Sequence, residues 1–277
     1  MLPSVRERFA QLVSGPEEEL DLAEAALLIA QEEQPDLDIT VYLRRLDEVA
    51  TAARARLPQA PEPRDLIHSL NVQLFHEEGL AGNESEYYDP RNSFLNEVLD
   101  RKRGIPITLS VIYLEVGRRL GLPLVGVGFP GHFLVKYTGA DGERVLDPFA
   151  GGATLTLEEL AQKLRRMYGD ANPFLGQIPQ LLVPASKKDI LVRMLHNLKG
   201  IYLQANDFAR ALAAIDRILL VAPDLVMEVR DRGAVHQRLG HLQGALQDFR
   251  RYLELVPDAE DAEAVRTIMS RMMARLN

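Results

Sequence analysis

His132 and Asp147 are the side chains whose types and setting best suit chemistry. A histidine held by a carboxylate can take a proton from a hydroxyl or thiol nucleophile, because the carboxylate fixes the ring's orientation and tautomer. Leu124 to Phe129, His132 to Thr138 and Arg144 to Phe149 are β-branched or aromatic runs, which read as strands. Pro130-Gly131 and Gly139-Ala140-Asp141-Gly142 supply the turns between them. His132 therefore opens one predicted strand and Asp147 closes the next, an adjacent pair across an antiparallel hairpin. None of the 277 residues is cysteine, which excludes a thiol nucleophile, a disulfide or a thiolate metal site.

The helix that must support this hairpin precedes it. Pro106 occupies a first-turn position, where the missing N–H costs nothing. Leu109, Ile112, Val116 and Leu120 recur at helical spacing, Arg118 and Arg119 suit the C-terminal end, and Gly121 and Pro123 stop the run. Further upstream, residues 1–15, Leu20 to Gln34, Asp38 to Leu57 and Arg64 to Glu78 read as helices. Gly79 to Pro90 lacks periodicity and is expected to be a loop docked through Tyr87 and Tyr88. Asn92 or Ser93 should cap a short helix ending at Arg101. Beyond the hairpin, Leu155 to Tyr168 reads as a helix capped by Thr154 or Thr156, and the proline-bearing Gly169 to Pro184 as a linker.

Composition narrows the functional classes. A 47% hydrophobic, 26% charged chain is an ordinary globular mixture, long enough for two domains. A net charge of −8 argues against a nucleic-acid partner, which needs clustered Lys and Arg. No apolar run reaches the ~18 residues of a membrane span, so no membrane association and a cytoplasmic location are expected. Gly126-Val127-Gly128 lies inside a strand run and is not a phosphate loop. His68, His76, His236 and His241 lack the spacing of a ligand set, so neither metal nor cofactor is expected.

From Lys188 onward the pattern changes. Ala211 and Ala245, Pro223 and Pro257, and Asp224 and Asp258 each stand 34 residues apart, the tetratricopeptide period. Asn206-Asp207 and Gly240-His241 fall at the turns. The domains are then 1–183 and 184–277, with repeats at about 190–223 and 224–257 plus a terminal helix from Ala259 to Leu276. The first helix of each repeat should line a groove bearing Arg193, His196, Leu203, Met227, Arg230 and Gln237. Two arginines there suit a protein or peptide partner with an acidic segment or a C-terminal carboxylate.

The run Arg118-Arg119-Leu120-Gly121-Leu122-Pro123, followed by His132 and Asp147-Pro148, resembles the core of the transglutaminase-like superfamily. With Tyr87-Tyr88-Asp89-Pro90-Arg91-Asn92-Ser93, Gly104-Ile105-Pro106-Ile107-Thr108-Leu109-Ser110 and Phe129-Pro130-Gly131-His132-Phe133, the chain is similar to SirB-type proteins, which join such a domain to tetratricopeptide repeats. The resemblance implies a mainly helical α+β fold with a small antiparallel sheet, then an all-α repeat domain. It also places the family's nucleophilic cysteine on Pro106. At about 100° per residue, Thr108 points away from that slot, whereas Ser110 returns to the same face one turn deeper. Two functions stay open: a non-catalytic binding or scaffold protein, and a hydrolase or acyl transferase using Ser110 with His132 and Asp147.

Overall fold

Short apolar repeats closed by polar caps build four helices before the first strand. In the computed structural model, which describes residues 3–274, α1 spans Val5–Ser14, α2 Leu22–Glu33, α3 Ile39–Arg54 and α4 Pro63–Asn71. The Ser4, Asp21 and Asp38 side chains accept from the Glu7, Glu24 and Thr40 amides, pairing N–H groups that a helix start leaves free. α4 continues into one π-type turn, Val72–Glu77. Its wider winding rotates the inward face, so Ile67, Leu70 and Leu74 are buried while Leu66 and Phe75 are half-buried.

The following loop holds more structure than its composition suggests. Ala81–Gly82 (β1) pairs in parallel with Arg103–Gly104 (β2), and α5 (Leu95–Arg101) lies between them in sequence. Asn92 and Ser93 do not cap α5. They sit in a 3-10 turn, Pro90–Ser93, and the Asn92 amide is spent on the Glu86 and Tyr87 carbonyls. The docking expected of two tyrosines is performed by buried Asn83 and Asn92, which hydrogen-bond each other at 3.0 Å. Tyr87 and Tyr88 are instead 37% and 67% exposed.

α6 (Pro106–Leu120) is the central element, buried on almost every face, with Pro106 at its first position as expected. Gly121 closes it at φ 85°, a left-handed cap that a side chain would strain. Next come β3 (Leu124–Val127), β4 (Leu134–Gly139) and β5 (Gly142–Asp147), followed by β6 (Ala153–Leu155), α7 (Leu157–Tyr168) and β7 (Pro184–Ala185). They form one antiparallel sheet in the order β6-β5-β4-β3-β7. Thr156 caps α7 reciprocally with Glu159.

Gly169 to Pro184 is not a linker. Its 3-10 stretch, Pro173–Leu182, buries Ile178 among Val127, Phe129, Leu134, Leu160 and Leu164, with Phe174, Leu175, Leu181 and Leu182 packed against that cluster while the prolines stay exposed. Gly152 provides a test of how tightly this unit is built. It has φ 76°, and a Cβ there would lie 2.2 Å from Asn71 Oδ1, which accepts the Tyr113 hydroxyl. Gly152→Ala is expected to cost about 2 kcal/mol, combining left-handed strain with displacement of that amide. Urea unfolding would check this, and a change within about 0.5 kcal/mol would refute it.

The chain divides into two compact units between Leu191 and Val192, within α8 (Lys187–Gln204). The second unit continues with α9 (Phe208–Val221), α10 (Val226–Arg238), α11 (Leu242–Leu255) and α12 (Ala262–Met273). Ala211 and Ala245 are fully enclosed, as small residues at helix crossings must be. Asn206 and Gly240 take equivalent left-handed turn positions at φ 57° and 76°. Leu276, placed in the terminal helix from sequence, lies outside the described residues.

Candidate functional site

β5 delivers Asp147 from its last residue, and the Pro130-Gly131 turn delivers His132 two residues before β4 begins. His132 thus stands beside its strand and does not open it, because the turn extends through it. The two still meet: His132 Nε2 lies 2.9 Å from Asp147 Oδ1, with the carboxylate fully buried and the ring about nine-tenths so. The Phe149 amide donates to the same Oδ1 at 3.1 Å, and the Phe149 ring meets the imidazole edge-to-face at 5.9 Å. Lys163 Nζ, reaching over from α7, lies 3.0 Å from Oδ2, held by charge more than by an aligned hydrogen bond.

Burial alone would push the Asp147 carboxyl up. His132 and Lys163 outweigh it and hold the group below the ordinary aspartate range. An ionised carboxylate only accepts, so Nε2 is the ring nitrogen that donates to Asp147. The ring is therefore held in one orientation by Asp147 and Phe149. Lys163 was not foreseen, because its partner lies on another element and nothing local marks it.

The nucleophile side of the arrangement differs. Pro106, onto which the resemblance sets the family's cysteine, opens α6. Thr108 Oγ1 accepts from the Ile105 amide at 3.2 Å and donates to the Asn92 carbonyl at 2.8 Å, so it is a structural hydroxyl. Ser110 is fully enclosed, and its Oγ makes no hydrogen bond to His132 or to any other described residue.

In the second unit the predicted groove residues divide into two groups. Met227 and Gln237 are exposed, Leu203 is half-buried, and half-buried Arg193 has no hydrogen bond or ion pair among the described residues. His196 and Arg230 belong to an internal network. His196 Nε2 meets Glu228 Oε1 at 3.0 Å, and buried Lys199 donates to Glu228 at 2.8 Å and to Asp231 at 2.6 Å. Arg230 bonds Asp231 and Asp261, both at 2.8 Å, and the Tyr252 hydroxyl donates to Asp261 at 2.5 Å.

Two cations thus face three carboxylates. The positive groove inferred from Arg193 and Arg230 together reduces to Arg193, because Arg230 is already neutralised. Burial works to lower the Arg230 pKa, but the two aspartates outweigh it and hold it above its usual value. Lys199 stands where the repeat pattern wants glycine, and that departure was the one signal in the sequence that could have pointed to the network.

Residues 40–196 match the transglutaminase-like superfamily. The chain belongs to that superfamily. Residues 198–270 match the tetratricopeptide repeat, so the expected order of the two parts stands. A UPF0162 protein of Xylella fastidiosa is 43% identical over 92% of this chain and 91% of its own length. A UPF0162 protein of Vibrio cholerae is 30% identical over 90% of this chain and 91% of its own. Human F-box only protein 21 is 36% identical over 34% of this chain and 16% of its own length. Among the described residues no helix is long and apolar enough to cross a membrane.

Proposed function

We propose that this superfamily member binds protein or peptide segments without catalysing a reaction on them, its former reaction cleft and its repeat groove being the contact surfaces. A transglutaminase-like domain joined to tetratricopeptide repeats supports an interaction role at the coarse level. The observation that carries the non-catalytic reading is the combination of an oriented His132–Asp147 pair with a proline at the expected cysteine position and a sealed Ser110. Without a reachable protein nucleophile, the pair cannot form a covalent acyl-enzyme. In the repeat groove, unpaired Arg193 remains the candidate contact for an acidic segment or terminal carboxylate.

The serine-dependent hydrolase or acyl transferase is the second reading, favoured by the His132–Asp147 pairing but not by Ser110 Oγ, which makes no hydrogen bond to His132. Reaction with a fluorophosphonate probe separates the two. No His132-dependent labelling is expected of the purified protein. Labelling that is lost in both Ser110→Ala and His132→Ala would overturn the non-catalytic reading.

A further inference from the structure

The loop joining β1 to α5 carries an unusual surface. Ser85 to Tyr88 form a turn, closed by the Asp89 amide donating to the Glu86 carbonyl at 3.1 Å. Tyr87 and Tyr88 stand edge-to-face at 5.4 Å, and Tyr88 is 67% exposed. Large aromatic side chains are normally spent on core or interface area. Here the exposure is imposed by a rigid base. Asn83 Oδ1 accepts the Glu86 amide at 3.1 Å, Asn92 Nδ2 donates to the Glu86 carbonyl at 2.7 Å, and Asp89 is ion-paired to Arg91 and Arg101. The base is also tied to both sides of Pro106, through Asn83 N to Gly104 O at 2.9 Å and Thr108 Oγ1 to Asn92 O at 2.8 Å.

Charge then selects the occupant. Glu84 and Glu86 are exposed at this turn and form no ion pair among the described residues, and with Asp89 shared between Arg91 and Arg101 the five groups still leave a net negative charge. An aromatic face carries negative potential, so ring and carboxylates favour the same ligand, a cation. We infer that the Tyr87–Tyr88 face docks a basic polypeptide segment, an arginine or lysine of which lies on the Tyr88 ring beside the Glu84 and Glu86 carboxylates. This deepens the binding role proposed above and rests on it only in drawing the cation from a polypeptide. It uses neither the His132–Asp147 pair nor the repeat groove.

The test is fluorescence anisotropy of a labelled octapeptide of alternating arginine and glycine, acetylated and amidated, with the full chain at about 150 mM salt. Glu84→Gln/Glu86→Gln is expected to weaken binding about tenfold, and Tyr88→Leu, which keeps apolar area but removes the π face, about threefold. Glu48→Gln/Glu260→Gln removes the same charge from exposed positions elsewhere and should change binding less than about twofold. The inference is overturned if the wild-type chain does not bind the peptide, if the control pair loses as much, or if Tyr88→Leu binds equally well. Tighter binding of spermidine than of the peptide would also overturn it, in favour of a free polyamine. None of these outcomes alters the fluorophosphonate result, so the two readings fail separately.

Discussion

Asp147→Ala is expected to lower the stability of the first unit by about 3 kcal/mol, near the bottom of the range for breaking a buried ion pair from one side. The carboxylate is fully buried and serves three partners: the His132 ring, the Lys163 ammonium and the Phe149 amide. Its loss strands all three, although Lys163, 29% exposed, can turn towards water and spare part of the penalty. Asp147→Asn keeps the shape and an acceptor for Phe149 but removes the charge, and should cost about half as much. Because the folded carboxyl titrates below its unfolded value, the stability it contributes is fully present above about pH 4 and is lost as pH falls through the folded pKa. Urea unfolding should therefore show a gap between wild type and Asp147→Asn that is widest at neutral pH and narrows on acidification. A gap that stays constant down to about pH 3 would mean that Asp147 acts through shape alone.

The second large effect is expected in the repeat unit. Glu228→Ala removes the carboxylate on which buried Lys199 and half-buried His196 converge, and should cost about 3 kcal/mol. Burial raises the Glu228 pKa, but His196 and Lys199 overcome it and hold the group low, so the glutamate is ionised in the folded state at neutral pH. Replacing both partners, as Lys199→Met/Glu228→Leu, removes the stranded charge together with its partner. It should recover to within about 1 kcal/mol of wild type, with Asp231 still held by Arg230. Chemical unfolding of the two single variants and the double variant tests this as a cycle. If the double variant loses as much as the two singles added, Lys199 and Glu228 are not coupled and the network description fails.

What the sequence makes legible follows the range of the forces involved. α6 can be read to the residue because its start and stop are local, proline at the first position and glycine at the cap. The repeats are legible because periodicity is a property of the chain itself. The His132–Asp147 pair is legible through motif and turn spacing together. The illegible parts all depend on partners distant in sequence. β6 and β7 are three and two residues long, too short to carry a pattern. Lys163 and Asp147 come from different elements, as do Lys199 and Glu228. The tyrosines illustrate the limit most clearly. Hydrophobicity places Tyr87 and Tyr88 inside, but a pair of asparagines already fills that space, and no local rule lets amides displace rings.

Lys199 in the glycine position has one more consequence. Repeat stacks are ordinarily modular, each unit being able to follow any other because apolar seams are interchangeable. In this stack α8 offers an ammonium, α10 answers with Glu228 and Asp231 while extending Arg230 onward, and Asp261 at the start of α12 receives it. The leading helices α8, α10 and α12 are therefore addressed to one another in turn by charge sign. Exchanging the order of the repeats, or splicing a consensus unit between them, would leave an ammonium and a guanidinium facing apolar seams. The array can be read in one direction only, and its order is part of its chemistry.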